Sequence, residues 1–209
     1  LLIYVAAGDS LTAGVGAQSG MGLVPQYRML TAKYAGQHVK SSNHGISGAT
    51  TGDILKMLQK NERVRSTMAG ADIITLTAGG NDLIQAAKRF ASHKDMNVLE
   101  QALTKCHDQY ADLIETILKL KGNRSRRYII RAADLYNPLP DMALAVHWVQ
   151  RFNQSIQSLE NDYFKVAPVY ASFAGREREL LSYDGVHPNS QGYRVIAEQM
   201  SKLGYRPLL

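Results

Sequence analysis

Leu1-Leu2-Ile3-Tyr4-Val5-Ala6-Ala7-Gly8-Asp9-Ser10-Leu11 decides how the rest of the chain is read. Its opening apolar run is far shorter than the ~20 residues needed to cross a bilayer and reads as a buried strand closed by a Gly-Asp turn. Further short strands are expected at residues 39–42, 72–77, 128–131 and 166–170. Between them lie amphipathic segments at residues 23–35, 54–68, 83–121 (interrupted near Ser92) and 141–164, with a last helix at about 190–203. The clearest period joins Met96, Leu99, Leu103, Cys106, Tyr110, Leu113, Ile117 and Leu120 at spacings of three and four. That is one face of a long helix, and it reads as core packing. Strand–helix alternation with apolar strands predicts an α/β fold of three layers, α/β/α, with helices on both faces of a parallel sheet. Five strands fit the flavodoxin-like order 2-1-3-4-5.

At 209 residues, 45% of them hydrophobic, the chain can bury one sizeable core. No repeat, low-complexity tract or linker divides it, so a single domain over 1–209 is expected. Charged residues make up 20% and are spread along the chain, which excludes a disordered polyelectrolyte. The lone cysteine, Cys106, excludes an intramolecular disulfide framework and a cysteine-rich metal site. A formal charge of +6 suits contact with an anionic surface such as phospholipid. The one dense basic cluster, Arg124, Arg126 and Arg127, falls in a helix-to-strand connection and reads as a solvated loop, so no nucleic-acid partner is expected. The sequence begins inside an apolar run without a methionine, which leads us to expect an upstream segment, a signal peptide or membrane anchor being compatible with it. Localisation and oligomeric state stay open.

In open parallel sheets, sites gather at the carboxyl ends of the strands. Ser10 follows the first expected strand, Asn43-His44-Gly45-Ile46-Ser47-Gly48 the second, Gly79-Gly80-Asn81-Asp82 the third and Asp184-Gly185-Val186-His187-Pro188 the fifth. All four strings therefore fall on one rim. Ser10 supplies a nucleophile, His187 a base and Asp184 a carboxylate to fix the imidazole tautomer. The Gly-x-Ser-x-Gly elbow is absent, because Thr12 stands where its second glycine would be. Gly45 can bring its N–H close to a substrate oxygen, or it can simply turn the chain. Asn81 can donate to an oxyanion or cap the helix that follows, and Asp82 reads better as a cap. His44 is an alternative base. Asp184 and His187 are also metal-ligand types, but no second histidine stands at ligand spacing.

As a set, the four strings resemble the four blocks of the SGNH hydrolases, also called GDSL esterases and lipases, over essentially the whole chain. The resemblance implies a flavodoxin-like fold and hydrolysis of esters or thioesters with no cofactor and no metal. It implies catalytic roles for Ser10, Asp184 and His187, and an oxyanion hole from Ser10, Gly45 and Asn81. The chain looks most like the bacterial lipase, thioesterase and lysophospholipase branch. Loops 12–22, 132–142 and 171–183 would then select the substrate. The second of these holds Leu135, Tyr136, Pro138, Leu139 and Pro140 and leads to Met142, Leu144 and Trp148, suiting either an acyl chain or an inward-packed crossover. The expected function is an acylhydrolase acting on small-molecule or lipid acyl esters through an acyl-enzyme on Ser10. Two alternatives stand beside it: a carbohydrate O-acetyl esterase, and a non-catalytic phosphate- or nucleotide-binding module, which lacks a Gly-x-x-x-x-Gly-Lys string.

Overall fold

The computed structural model describes residues 1–122 and 127–209. In chain order its elements are β1 (Leu2–Gly8), α1 (Ser10–Ala13), α2 (Leu23–Ala35), β2 (Val39–Gly45), α3 (Thr51–Lys60), α4 (Glu62–Gly70), β3 (Ile73–Thr77), α5 (Gly80–His93), α6 (Asn97–Lys121), β4 (Ile129–Ala133), α7 (Ala143–Gln157), β5 (Phe164–Ala167), α8 (Val169–Phe173), α9 (Glu177–Leu180) and α10 (Ser190–Lys202). The strands form a parallel sheet in the order β2-β1-β3-β4-β5. In register, Gly8 lies opposite Gly45 on one side and Thr77 on the other, so three strands end level. Strand periodicity divides the core. Val5, Ala7 and Ile74 face a cluster built with α3, α4, α6 and α7, whereas Tyr4, Ala6 and Ile73 face one built with α2 and α10. This is the three-layer α/β/α fold expected from the sequence. Among the described residues no helix is long and apolar enough to cross a membrane.

Several boundaries differ from expectation, each for a local reason. The segment expected at 54–68 is two helices, because Asn61 takes an extended conformation and its Oδ1 accepts from Val64 N–H, starting α4 afresh. α7 stops at Gln157 rather than running to 164. Beyond it the Asn161 side chain accepts from the N–H groups of Tyr163 and Phe164 and turns the chain into β5. That strand ends at Ala167, short of the expected residue 170, since Pro168 has no N–H to offer a ladder. The next two N–H groups, of Val169 and Tyr170, donate to Asp134 Oδ1 and open α8 instead. The long stretch at 83–121 is interrupted by Lys94, which has φ +56°. From Leu99 to Ile117 the expected stripe, Cys106 included, is buried, while Met96 lies outside α6 and is exposed. Arg124 and Arg126 of the basic cluster lie outside the described residues.

Candidate active site

The end of β1 is shaped by close packing. A Cβ on Gly8 would meet Thr77 Oγ1 at 2.3 Å and Thr12 Oγ1 at 2.4 Å, so only glycine fits. Asp9 is buried, and its Oδ1 accepts from Leu11 N–H at 3.0 Å, capping α1, and from Thr77 Oγ1 at 2.8 Å. Burial pushes the Asp9 carboxyl up, against these hydrogen bonds and the field of His187. The cap makes Ser10 the first residue of α1, and its own N–H makes no hydrogen bond among the described residues.

His187 arrives from the opposite end of the sequence, just before α10, whose N-terminus Asn189 caps through Gln191 and Gly192 N–H. Its Nε2 lies 3.0 Å from Ser10 Oγ, and its Nδ1 lies 2.6 Å from Asp184 Oδ2. The other Asp184 oxygen accepts from Ser182 Oγ at 2.8 Å and from Val186 and His187 N–H at 2.9 Å each. Slight burial raises the Asp184 carboxyl, but the hydrogen bonds from the His187 ring, the two backbone groups and Ser182 outweigh it and hold the carboxyl well below the usual range. Serine, histidine and ionised carboxylate thus form a continuous hydrogen-bonded line, a geometry able to draw a proton off Ser10.

Asn81 does not cap α5. Its Nδ2 donates to Ala49 O at 2.9 Å, which occupies one amide hydrogen and leaves the other for a ligand. Asp82 caps a helix, though not its own: its Oδ2 accepts from Thr51 N–H at 2.8 Å and Thr51 Oγ1 at 3.0 Å at the start of α3. His44 Nε2 pairs with Thr67 Oγ1 on α4 at 3.2 Å, and the ring stands apart from the Ser10–His187 line.

Gly45 differs most from its expected place. Its N–H is taken by Asn43 Oδ1 at 2.8 Å, and a Cβ there would lie 2.2 Å from Ala13 N. Glycine is required there so that β2 can press against α1, and the N–H expected to serve an oxyanion is already engaged. Three residues on stands Gly48, at φ +81°, exposed and with its N–H unpartnered among the described residues, in a turn that Ala49 N–H closes onto Ile46 O.

Beside Ser10 and His187 opens a cavity of about 270 Å³. Its wall is apolar almost throughout, contributed by α5 (Leu83, Ile84), α6 (Leu99), the loop after β4 (Leu135, Pro138, Leu139) and α7 (Leu144, Trp148, Val149). The floor residues Leu99, Leu135, Trp148 and Val149 are buried, whereas Ile84, Leu139, Met142 and Val186 at the mouth are exposed. The loop at 132–142 is thus a cavity wall, and α5, of which only Ala86 is buried, turns much of its apolar face to the same space.

Residues 6–195 match the model of the GDSL-like Lipase/Acylhydrolase family. The chain belongs to this family. It is 38% identical over 208 residues to the spore germination lipase LipC of Bacillus licheniformis, covering 98% of this chain and 97% of that one. The crystal structure of the lipase Lip_vut3 from a goat rumen metagenome superposes with a TM-score of 0.95 at 38% identity, covering all of both chains. A GDSL-family protein from Veillonella parvula shares the fold at 18% identity, with a TM-score of 0.70 over 99% of this chain and 100% of that one. As a GDSL-family member the protein is a serine hydrolase acting on carboxylic esters.

Proposed function

We propose that this GDSL-family enzyme, acting as one unit over residues 1–209, hydrolyses esters or thioesters of lipid-like acyl groups through an acyl-enzyme on Ser10. The observation that carries the acyl class is the apolar cavity opening directly beside Ser10 Oγ. A carbohydrate ester would call for polar groups to receive sugar hydroxyls, and this wall offers few. The two 38%-identical relatives, both lipases by name, support the same reading.

In the proposed mechanism His187 Nε2 takes the proton of Ser10 as Oγ attacks the acyl carbonyl, and Asp184 stabilises the resulting imidazolium. The N–H groups of Ser10 and Gly48 and the free hydrogen of the Asn81 amide hold the oxyanion, with Gly48 replacing Gly45 because the latter's N–H is engaged. Collapse expels the alcohol or thiol, protonated by His187, and leaves the acyl group on Ser10. His187 then activates water to release the acid. The lipid-facing side of this reading is the exposed rim of Ile84, Leu139, Met142 and Val186, flanked by Lys88 and Arg89 on the outer face of α5. Apolar side chains beside basic ones suit an anionic lipid surface.

Hydrolysis of p-nitrophenyl esters from acetyl to palmitoyl, with Ser10→Ala as the blank, tests the reading. Serine-dependent activity highest at medium or long chains supports it, and a sharp acetyl preference would replace it with the carbohydrate-esterase alternative. Cosedimentation with vesicles of neutral or anionic phospholipid tests the surface contact, which fails if both are bound equally or neither is bound.

A further inference from the structure

Trp148 is buried in the cavity floor, yet its indole N–H makes no hydrogen bond among the described residues. Indole rings in protein interiors are usually oriented through that N–H. Here two other groups neighbour the ring. The Arg151 guanidinium lies 4.7 Å from the ring centroid, a cation–π distance. The His147 imidazole stands perpendicular to it, with ring centroids 5.4 Å apart. Arg151 is itself fixed by Glu100 on α6 through two hydrogen bonds, Nη1 to Oε1 at 2.5 Å and Nη2 to Oε2 at 2.9 Å. This fork-to-fork pairing sets the guanidinium plane as well as its position.

The location of the pair gives it significance. Leu99, one residue before Glu100, lines the same cavity as Trp148. The ion pair therefore spans α6 and α7 directly outside two residues of the cavity floor. A surface pair of this kind adds little to global stability. Its effect is local, on the ring it holds.

We propose that the Glu100–Arg151 pair is a specificity-determining clamp, holding the Trp148 indole across the cavity floor and so limiting the length of acyl chain the enzyme accepts. This rests on the reading of the cavity as the acyl site. Glu100 and Arg151 act as positioning residues, and Trp148 is the group that meets the chain end. Released from the guanidinium, the ring gains freedom to rotate and the floor deepens, so longer chains gain while the shortest, which never reach the floor, are unaffected.

The experiment compares kcat/KM across p-nitrophenyl esters from acetyl to palmitoyl for Arg151→Met, Glu100→Gln, the double variant and Trp148→Ala. Trp148→Ala should raise the ratio of long-chain to short-chain kcat/KM about tenfold or more, the scale of a changed hydrophobic contact in a specificity pocket. Arg151→Met should raise it about 2–5-fold, in line with loss of an exposed cation–π contact. The double variant should match Arg151→Met alone, because Glu100 acts only through the guanidinium. An Arg151→Met profile superimposable on that of the wild type would overturn the clamp.

Trp148 is the chain's single tryptophan, so a second readout works without turnover. Free fatty acids of four to sixteen carbons are titrated into the Ser10→Ala variant while Trp148 emission is followed. The clamp requires emission to respond only above a threshold chain length, and that threshold to move in the Ser10→Ala/Arg151→Met protein. No response at any length overturns the acyl-site reading and the clamp with it. A response whose threshold is the same in both proteins overturns the clamp alone.

Discussion

The Tyr136 hydroxyl donates to the Val186 carbonyl at 2.7 Å, so a side chain that lines the cavity also holds the loop that carries Asp184 and His187. Stacking on Phe173, with centroids 4.5 Å apart, fixes the ring. Much of the catalytic loop is exposed: Asp184, Gly185 and Val186 all face solvent. The contact from Tyr136 is therefore one of a small number of fasteners, together with Ser182 N–H to His187 O at 2.7 Å.

Tyr136→Phe keeps the stack and removes only the hydroxyl. We expect a loss of about 1 kcal/mol in stability, the net worth of one hydrogen bond, and a fall in kcat of about 3–10-fold as the His187 loop loosens. KM for a short soluble ester should hardly change, because the cavity wall is preserved. A kcat equal to that of the wild type would show that the remaining fasteners hold the loop unaided. Steady-state kinetics and a thermal melt on the same preparation decide the matter.

Gly16 presses on the same loop from the other side. It has φ +91°, and a Cβ there would come within 2.6 Å of Pro188 O and 3.0 Å of His187 Cβ. Gly16→Ala should displace the imidazole from Ser10. A shift of about 1 Å in a reacting group costs roughly 10²-fold in rate, so kcat should fall far more than KM rises. Intact kcat with a lowered melting temperature would mean that the Val15–Ala17 segment yields and the imidazole does not.

The rim was legible because it depends on where strands stop. Ser10, Asn81 and His187 could be placed together once β1, β3 and the region before α10 were read from apolar runs and turn residues. Which glycine offers a free N–H was not legible. Gly45 and Gly48 look equivalent as letters, and only the side chain of Asn43 and the approach of Ala13 distinguish them. The end of β5 falls short of the expected residue because Val169 and Tyr170 continue an apolar run, whereas Asp134, more than thirty residues earlier, draws their N–H groups out of the ladder. Long-range capping of this kind leaves no periodic trace. The amphipathic face of α5 was legible, but whether it covers core or cavity depends on the loop and α7 opposite it.

Substitution at the two glycines should separate packing from chemistry. Gly45→Ala forces a methyl onto the Ala13 backbone and should cost about 1–3 kcal/mol or more, as overpacking does. Gly48→Ala meets open space and should cost only about 1–2 kcal/mol for the left-handed backbone. Catalytic loss should follow the reverse order per unit of lost stability. Asn81→Ala, which deletes the amide donor, should lower kcat about 10²–10³-fold with a smaller effect on KM. Unchanged turnover in Asn81→Ala would remove that residue from the oxyanion hole.

Asp134 should make folding stability depend on pH. Burial pushes its carboxyl up to about 6, against the opposing pull of the Tyr170 and Val169 N–H groups. In the unfolded chain an aspartate titrates near 3.9. Between these values the folded protein binds the proton more tightly than the unfolded chain does. The contribution of Asp134 is therefore greatest below about pH 4, declines as pH rises to about 6 and is level beyond that, a total change of about 3 kcal/mol. Burial likewise raises the carboxyls of Asp9 and Asp82, so the wild-type slope is a sum over several groups. Asp134→Asn isolates one of them: its Oδ1 can still accept from Val169 and Tyr170, and it carries no charge at any pH. Urea unfolding midpoints measured from pH 4 to 7 should converge for the two proteins at the acid end, with the variant becoming the more stable as pH rises. Parallel curves would mean that the Asp134 proton is held no more tightly in the folded protein than in the unfolded chain.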